Sequence, residues 1–191
     1  AQRGYDLTGV DISPDQLEEA SKRAGEADVD AKFVQGDVNE YVSDNDHDAA
    51  ICMLSTLGEG PLQYHRVIEN VYHSLADDGI FVIDNTSWEN IPADREKTWG
   101  QSIDSGDAQI ETAVYDRFTR QFRIREVETT VHREDRTEIY EDWYVTHLLD
   151  EDDWKKELRR GGFEGFDTYH DYELSEKDSP SRITIVASKS K

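Results

Sequence analysis

Four polar side chains stand where short apolar runs stop. Asp11 follows Leu7-Thr8-Gly9-Val10, and Asp37 follows Phe33-Val34-Gln35-Gly36. Ser55 follows the run from Asp48 to Leu54, and Asp84 follows Ile80-Phe81-Val82-Ile83. If those runs are parallel strands, their four ends share one edge of a sheet, and open α/β sheets bind ligands beyond that edge. A carboxylate at Asp11 can accept two hydroxyl hydrogen bonds, as from a ribose. The plainer role for Asp11 is to serve the backbone of the helix that begins at Ser13-Pro14. Asp37 can accept from an exocyclic adenine amine while the Val38 N–H reads a ring nitrogen, with a loop cap as the competing role. Ile12 can pack on an adenine face or border the site as a core residue.

The elements that must position these groups follow from periodicity. Ser13-Pro14-Asp15-Gln16 has the Ser N-cap, Pro at the first helical position and Gln three residues after the cap that mark a helix start. Leu17, Ala20 and Ala24 continue it to Gly25. The nearly continuous apolar stretch over 48–54 predicts a strand covered on both faces. After the loop Gly58-Glu59-Gly60-Pro61, the stripe Tyr64, Val67, Ile68, Val71, Tyr72 and Leu75 predicts a helix over 62–76. Asp77-Asp78-Gly79 ends it before the strand that reaches Asp84. This alternation predicts an α/β fold, a doubly wound and mostly parallel Rossmann-like sheet. After Asn85 the pattern changes: 110–115, 122–131 and 137–145 read as antiparallel strands without helices between them, an inserted lid. A helix over 150–160 and strands over 163–169 and 183–187 return the chain to the α/β layer. The predicted organisation is an α/β core over 1–87, the inserted lid over 88–147, and the rest of the core over 148–191.

Composition limits the partners. The 191 residues suit one domain with a real core. The formal charge of -22, from 43 acidic and 21 basic residues, repels phosphate backbones and anionic membranes, so neither nucleic acid nor membrane is expected as a partner. Arg outnumbers Lys 13 to 8, and dense carboxylates with few lysines suit a halophilic source, where salt screens self-repulsion. Cys52, the only cysteine, lies in an apolar run and reads as an inert buried thiol. A single cysteine without a signal-peptide pattern leads us to expect a cytoplasmic protein. The six scattered His have no ligand spacing, so no metal is expected.

Three segments carry a family resemblance. Residues 3–20, Arg-Gly-Tyr-Asp-Leu-Thr-Gly-Val-Asp-Ile-Ser-Pro-Asp-Gln-Leu-Glu-Glu-Ala, resemble the second-strand region of class I S-adenosylmethionine-dependent methyltransferases. Phe33 to Val38 resembles their adenine-side segment, and Leu75 to Asp84 the turn into their fifth strand, with Asp77-Asp78-Gly79 in place of Pro-Gly-Gly. The resemblance implies S-adenosyl-L-methionine as cofactor, with Asp11 on the ribose, Asp37 and Val38 on the adenine, and Ile12 and Ser55 bordering the cofactor. It implies an acceptor pocket near Leu57. The chain begins after the point where the family has its first strand and glycine-rich turn. On this reading it is N-terminally truncated and, taken alone, binds cofactor weakly.

The antiparallel insertion is similar to that of small-molecule methyltransferases, so the expected partner is a small-molecule substrate, and a homodimer is a possible assembly. Methyl transfer to nitrogen or oxygen needs alignment and exclusion of water more than a base, and no catalytic base can be named from these residues. Tyr115, Trp143, Tyr144 and His147 are candidates for the acceptor pocket because they cluster in the insertion or at its return. Trp143 and Tyr144, as strand neighbours, should face opposite sides. Two rival readings stay open: a non-catalytic interaction module that keeps the fold, and a nicotinamide-dependent oxidoreductase, which would also use a carboxylate at Asp11.

Overall fold

The computed structural model describes residues 1–44, 46–60, 62–87, 94–173 and 181–189. Asn45, Pro61 and residue 88, where the lid was expected to begin, lie outside them. Strand β1 (Thr8–Asp11) leads into helix α1 (Pro14–Glu26), and β2 (Lys32–Gln35) pairs with β1 in parallel. Ser13 caps α1 as its sequence demands, its hydroxyl accepting from the Gln16 N–H with Pro14 in the first turn. Strand β3 (His47–Cys52), helix α2 (Tyr64–Ser74) and strand β4 (Leu75–Thr86) follow, with β3 and β4 parallel.

The chain then forms a four-stranded antiparallel sheet from β5 (Glu96–Ser105), β6 (Ala108–Phe118), β7 (Phe122–His132) and β8 (Thr137–His147), in that spatial order. Sequence reading found three of these strands and missed β5. Its ten residues are all exposed, and Trp99 and Ile103 are its only large apolar side chains, so no buried face leaves an alternating trace. Helix α3 (Glu151–Arg160), capped by the Asp150 carboxylate on the Asp153 N–H, precedes β9 (Gly165–His170) and β10 (Arg182–Ser188).

Two details refine the expected doubly wound, mostly parallel sheet, in which β3, β4 and β9 do run the same way. Strand β10 runs antiparallel to both β4 and β9, so the sheet β3-β4-β10-β9 is mixed. Buried strands of either direction read as apolar runs, and direction depends on how the chain returns. In addition, β1 and β3 do not pair, so the α/β layer consists of a two-stranded and a four-stranded part.

The core belongs to the four-stranded part. Val67 and Ile68 of α2, Trp154 and Leu158 of α3, and Phe81, Ile83, Ile183 and Ile185 of the sheet close on one another with Leu57 and Phe163. Helix α1 contributes no fully buried residue. Its unit is tied to α2 instead: Asn70 Nδ2 donates to the Val38 carbonyl, the Gln63 N–H to Asn39 Oδ1, and the Ser43 N–H to Ser74 Oγ. The Gly161-Gly162 stop after α3 has a steric cause. Gly162 has φ +106°, and an added Cβ would lie 2.7 Å from the Tyr72 ring.

Burial pushes the Cys52 thiol up to about 11, so it stays protonated at neutral pH. Ellman's reagent at pH 8 should react slowly with the folded protein and fast in urea; rapid labelling of the native chain would contradict this burial. Gly162→Ala should lower stability by at least about 1–3 kcal/mol, read from the midpoint of denaturant unfolding.

Candidate functional site

Asp11 and Asp37 sit at the same end of one hydrogen-bonded strand pair. Asp11 is in register with Gln35, and Asp37 is two residues beyond it. The Gly36 N–H donates to the Asp11 carbonyl at 3.0 Å, and Gln35 Nε2 to the Ile12 carbonyl at 3.3 Å, so the two exit loops are joined. Each carboxylate turns its own loop: Asp11 Oδ1 accepts from the Ser13 N–H and Asp37 Oδ1 from the Asn39 N–H, both at 2.8 Å. The backbone role and a ligand role are therefore compatible, because each Oδ2 has no partner among the described residues. Ile12 projects into solvent beside them, 67% exposed. The Val38 side chain packs on the core, and its N–H makes no hydrogen bond among the described residues. These groups fit the nucleoside half of S-adenosyl-L-methionine: two acceptors for hydroxyl or amine hydrogens, one backbone donor and one apolar flank.

The exit of β3 is built differently from the sequence expectation. Leu54 and Ser55 both have positive φ, 61° and 67°, a costly conformation for residues with a Cβ. Asp84 holds them there. Its Oδ2 accepts from the Leu54 N–H at 3.1 Å and its carbonyl from the Ser55 N–H at 2.8 Å. Arg182 Nε lies 2.8 Å from Asp84 Oδ1, and the carboxylate is fully buried. Asp84 thus faces inward onto Arg182 and the loop instead of joining Asp11 and Asp37 at an open edge. Ser55 needs the same correction as a cofactor residue. It is buried, and its hydroxyl accepts from the Thr86 N–H at 2.9 Å and meets Thr86 Oγ1 at 3.0 Å. Leu57, expected in the acceptor pocket, is a core residue at 1% exposure, because the short 3-10 turn Thr56–Gly58 folds it under the loop.

Beyond that turn, Glu59 and Gly60 attach to the antiparallel sheet. Glu59 bridges to Thr146, and the Gly60 N–H donates to the Val145 carbonyl. A shallow, open depression of about 380 Å³ lies there, lined by Thr56, Glu59, Gly60, Leu62 and Tyr144. The four aromatic candidates divide between the faces of the sheet. Tyr144 lies in one cross-strand row with Asp116 and Arg125, on the face carrying buried Val114 and Phe118. Tyr115 and Trp143 share the opposite face through Glu126, and Trp143 is 67% exposed. Alternation along the strand forbids all three from meeting one pocket, so Tyr115 and Trp143 leave the proposed acceptor set. Hydrogen bonding to Glu96 also pushes the Tyr115 phenol up, which makes it a poorer proton donor. His147 packs between the rings of Tyr64 and Phe122, at 5.3 and 5.2 Å, and is not a cleft-lining residue. Burial lowers its pKa, so the imidazole is neutral at neutral pH.

Sequence reading missed the charged residues behind the cleft. Asp116 takes Arg125 through both oxygens, at 2.6 and 2.7 Å. Burial alone would raise the Asp116 carboxyl, but the bonds and charge of Arg125, with Arg123, hold it below its usual range. Arg123 Nη2 reaches Glu59 Oε1 at 2.8 Å and Thr146 Oγ1 at 2.6 Å. The one available signal was the alternation Arg123-Ile124-Arg125, which puts both arginines on one face.

The sequence model of a family described as methyltransferase domain matches residues 1–79. No curated protein matches the sequence. Among solved structures, an S-adenosylmethionine-dependent methyltransferase from Clostridium acetobutylicum superposes with a TM-score of 0.77 at 16% identity, covering 98% of this chain and 76% of that one. The sugar N-methyltransferase KedS8 from Streptoalloteichus sp. superposes with a TM-score of 0.77 at 15% identity, over 96% of this chain and 71% of that one. DesVI from Streptomyces venezuelae gives 0.72 at 16%, over 94% and 72%. The chain has the S-adenosylmethionine-dependent methyltransferase fold. Within that fold the Asp11–Asp37 edge and the Glu59–Tyr144 cleft are two separate parts, one at the exits of β1 and β2 and one between the exit of β3 and the antiparallel sheet. Among the described residues, no three His, Cys, Asp or Glu side chains are grouped to hold a metal ion, and no helix is long and apolar enough to cross a membrane.

Asp84→Ala should cost about 3–5 kcal/mol, because it leaves the Arg182 guanidinium without its partner and frees two strained residues. Urea unfolding measures this; a loss under about 1 kcal/mol would show that the β3 exit does not depend on Asp84.

Proposed function

We propose that the protein transfers the methyl group of S-adenosyl-L-methionine to a nitrogen or oxygen of a small molecule. The observation that carries this is the pairing of β1 with β2, which brings two half-free carboxylates to one edge of a methyltransferase fold. On this reading Asp11 Oδ2 accepts from the ribose hydroxyls, Asp37 Oδ2 from the adenine amine, Val38 N–H donates to a ring nitrogen, and Ile12 covers one face of the base. When bound, the cofactor supplies an electrophilic methyl on a sulfonium. The chain's own contribution is to hold the nucleoside, to orient an acceptor in the cleft beside Tyr144, and to keep water out with the antiparallel sheet over 96–147 acting as a lid. KedS8 is named a sugar N-methyltransferase and MtfA a glycopeptide N-methyltransferase, and their shared fold supports a small acceptor here. The strongly acidic composition supports the same choice over a polyanionic one, and it suits a protein that works in high salt.

Calorimetry with S-adenosylmethionine, S-adenosylhomocysteine and NAD tests the reading at high salt, on a preparation that includes any residues encoded upstream of Ala1. Binding of the sulfur cofactors and not of NAD is expected; NAD binding alone would overturn it. Asp11→Ala should weaken sulfur-cofactor affinity roughly tenfold or more, and unchanged affinity would remove the ribose assignment.

A further inference from the structure

Among the described residues the antiparallel sheet packs chiefly on itself. Its outer half, from Trp99 and Val114 to the hairpin tips, has two faces of opposite character. On the face that carries Asp116 and Tyr144, the next rows outward are Trp99-Val114-Val127 and Ile103-Ile110-Val131, with Thr112 and Thr129 between them. Strand β8 completes these rows with Asp142, Glu138 and Tyr140. No other member of the rows is charged, and Glu138 is held by Arg133 and Arg136 at 3.6 and 3.3 Å. The opposite face carries Glu111, Glu126, Glu128 and Glu141 over the same span, with Glu128 directly across from Glu141. In a chain with 43 acidic residues and a formal charge of -22, a sheet surface left in water without charge in its middle is a departure. A sheet buries its apolar face against another element, yet Trp99, Ile103 and Tyr140 stay 37%, 50% and 57% exposed. The free edge is guarded instead. Gly60 takes the Val145 carbonyl, and Asp142 Oδ1 accepts from the Trp143 N–H at 2.7 Å, so β8 is a poor template for a further strand.

We propose that this uncharged half-face is the contact between two copies of the chain, packed sheet on sheet about a two-fold axis along the Thr112–Thr129 row. Such an axis lays each apolar row of one copy on the other apolar row of its partner and sets the neutral threonines against their own copies. It also sends the two α/β layers to opposite ends of the contact. Asp142 falls at the rim, across from the partner's Glu138, whose charge two arginines already balance. Trp99 is a fixed anchor: its Nε1 lies 3.5 Å from Asp116 Oδ2, and the Arg125 guanidinium sits 5.5 Å from its ring centroid. Little side-chain freedom is therefore lost on contact. The strands from Trp99 to Ser105 run about 24 Å and the four strands span about 19 Å, a footprint of roughly 450 Å² per copy. Two copies cover roughly 900 Å² before side-chain relief is counted, near the ~1,000 Å² at which a contact becomes a specific interface. That size fits a dimer that assembles in the micromolar range. A face without charge cannot steer an oppositely charged partner, whereas a second copy presents the same flat pattern and closes the assembly at two. Each copy carries the same net negative charge, so the contact forms against mutual repulsion and tightens as salt screens it. An interface of ion pairs would respond the opposite way.

Sedimentation equilibrium across the micromolar range, in low and in molar KCl, reads the assembly on a preparation that includes any residues encoded upstream of Ala1. A monomer–dimer equilibrium is expected, with a dissociation constant at least about tenfold lower in molar KCl. Thr129 and Thr130 are neighbours on β7 whose side chains point to opposite faces, so they separate the two surfaces. Thr129→Glu should weaken the dimer about tenfold or more by placing a charge at its centre, and Thr130→Glu should leave it within about twofold. Sheets packed face to face lie about 10 Å apart, so a short bismaleimide should join copies of Thr129→Cys and not copies of Thr130→Cys. Burial keeps the Cys52 thiol protonated and slow to react in both. Unfolding midpoints near wild type qualify the Glu variants, and the milder Cys pair serves where they unfold. A monomer under every condition, whether the face stays bare or another segment covers it, overturns the proposal. So does a dimer that weakens with salt, or one that Thr129→Glu leaves intact.

Discussion

The buried ion pair between Asp84 and Arg182 is the constraint on which the middle of this protein depends. It joins β4 to β10, strands separated by about half of the chain, and its carboxylate also reaches across to the Leu54 N–H. A fully desolvated carboxylate tolerates such a site only with a charged partner and further hydrogen bonds, and Arg182, Thr184 and the β3 exit supply them. What the pair secures is an otherwise unfavourable backbone: two consecutive non-glycine residues at positive φ. That bend redirects the chain into the Thr56–Gly58 turn and so sets where Glu59 and Gly60 meet the antiparallel sheet.

The antiparallel sheet solves a different problem. Strands β6 and β7 carry charged residues toward the protein interior, where an isolated charge would be costly. In-register rows remove the cost, because Asp116, Arg125 and Tyr144 are direct cross-strand neighbours and so are Arg123 and Thr146. Both arginines also lie over the Tyr144 ring, each at 5.8 Å from its centroid. The ring is held from behind by cations and from its oxygen by a donor, which orients it more firmly than packing alone. Register is therefore what gives this face of the sheet its fixed arrangement of charges.

The Asp11–Asp37 edge and the depression between Glu59 and Tyr144 draw on unequal stability. Around the cleft, α2, α3 and the four-stranded sheet enclose the only core cluster among the described residues, with Trp154 touching Tyr64. Around Asp11 and Asp37, α1 buries nothing fully, and the attachment to α2 runs through three side-chain hydrogen bonds and Val38. Regions with few buried contacts open most readily. The edge at Asp11 and Asp37 thus has the fewer buried contacts among the described residues.

Local physics wrote much of the fold into the sequence. Ser13-Pro14-Gln16 starts α1, the three-four stripe from Tyr64 marks α2, Asp150 starts α3, and alternation marks β7, because each signal depends on residues within one turn or one strand. Asp11 and Asp37 were legible for the same reason: a carboxylate just after a short apolar run needs only parallel pairing to reach a common edge. Tertiary structure decided what depends on partners distant in the chain. Asp84 looks like Asp11 in sequence, yet Arg182 lies 98 positions away and turns it inward. Glu59 reads as a loop residue until β8 docks beside it and Arg123, 64 positions on, takes one of its oxygens. A side chain's type is set locally, but which of its atoms remain available is set by whatever the rest of the chain brings against it.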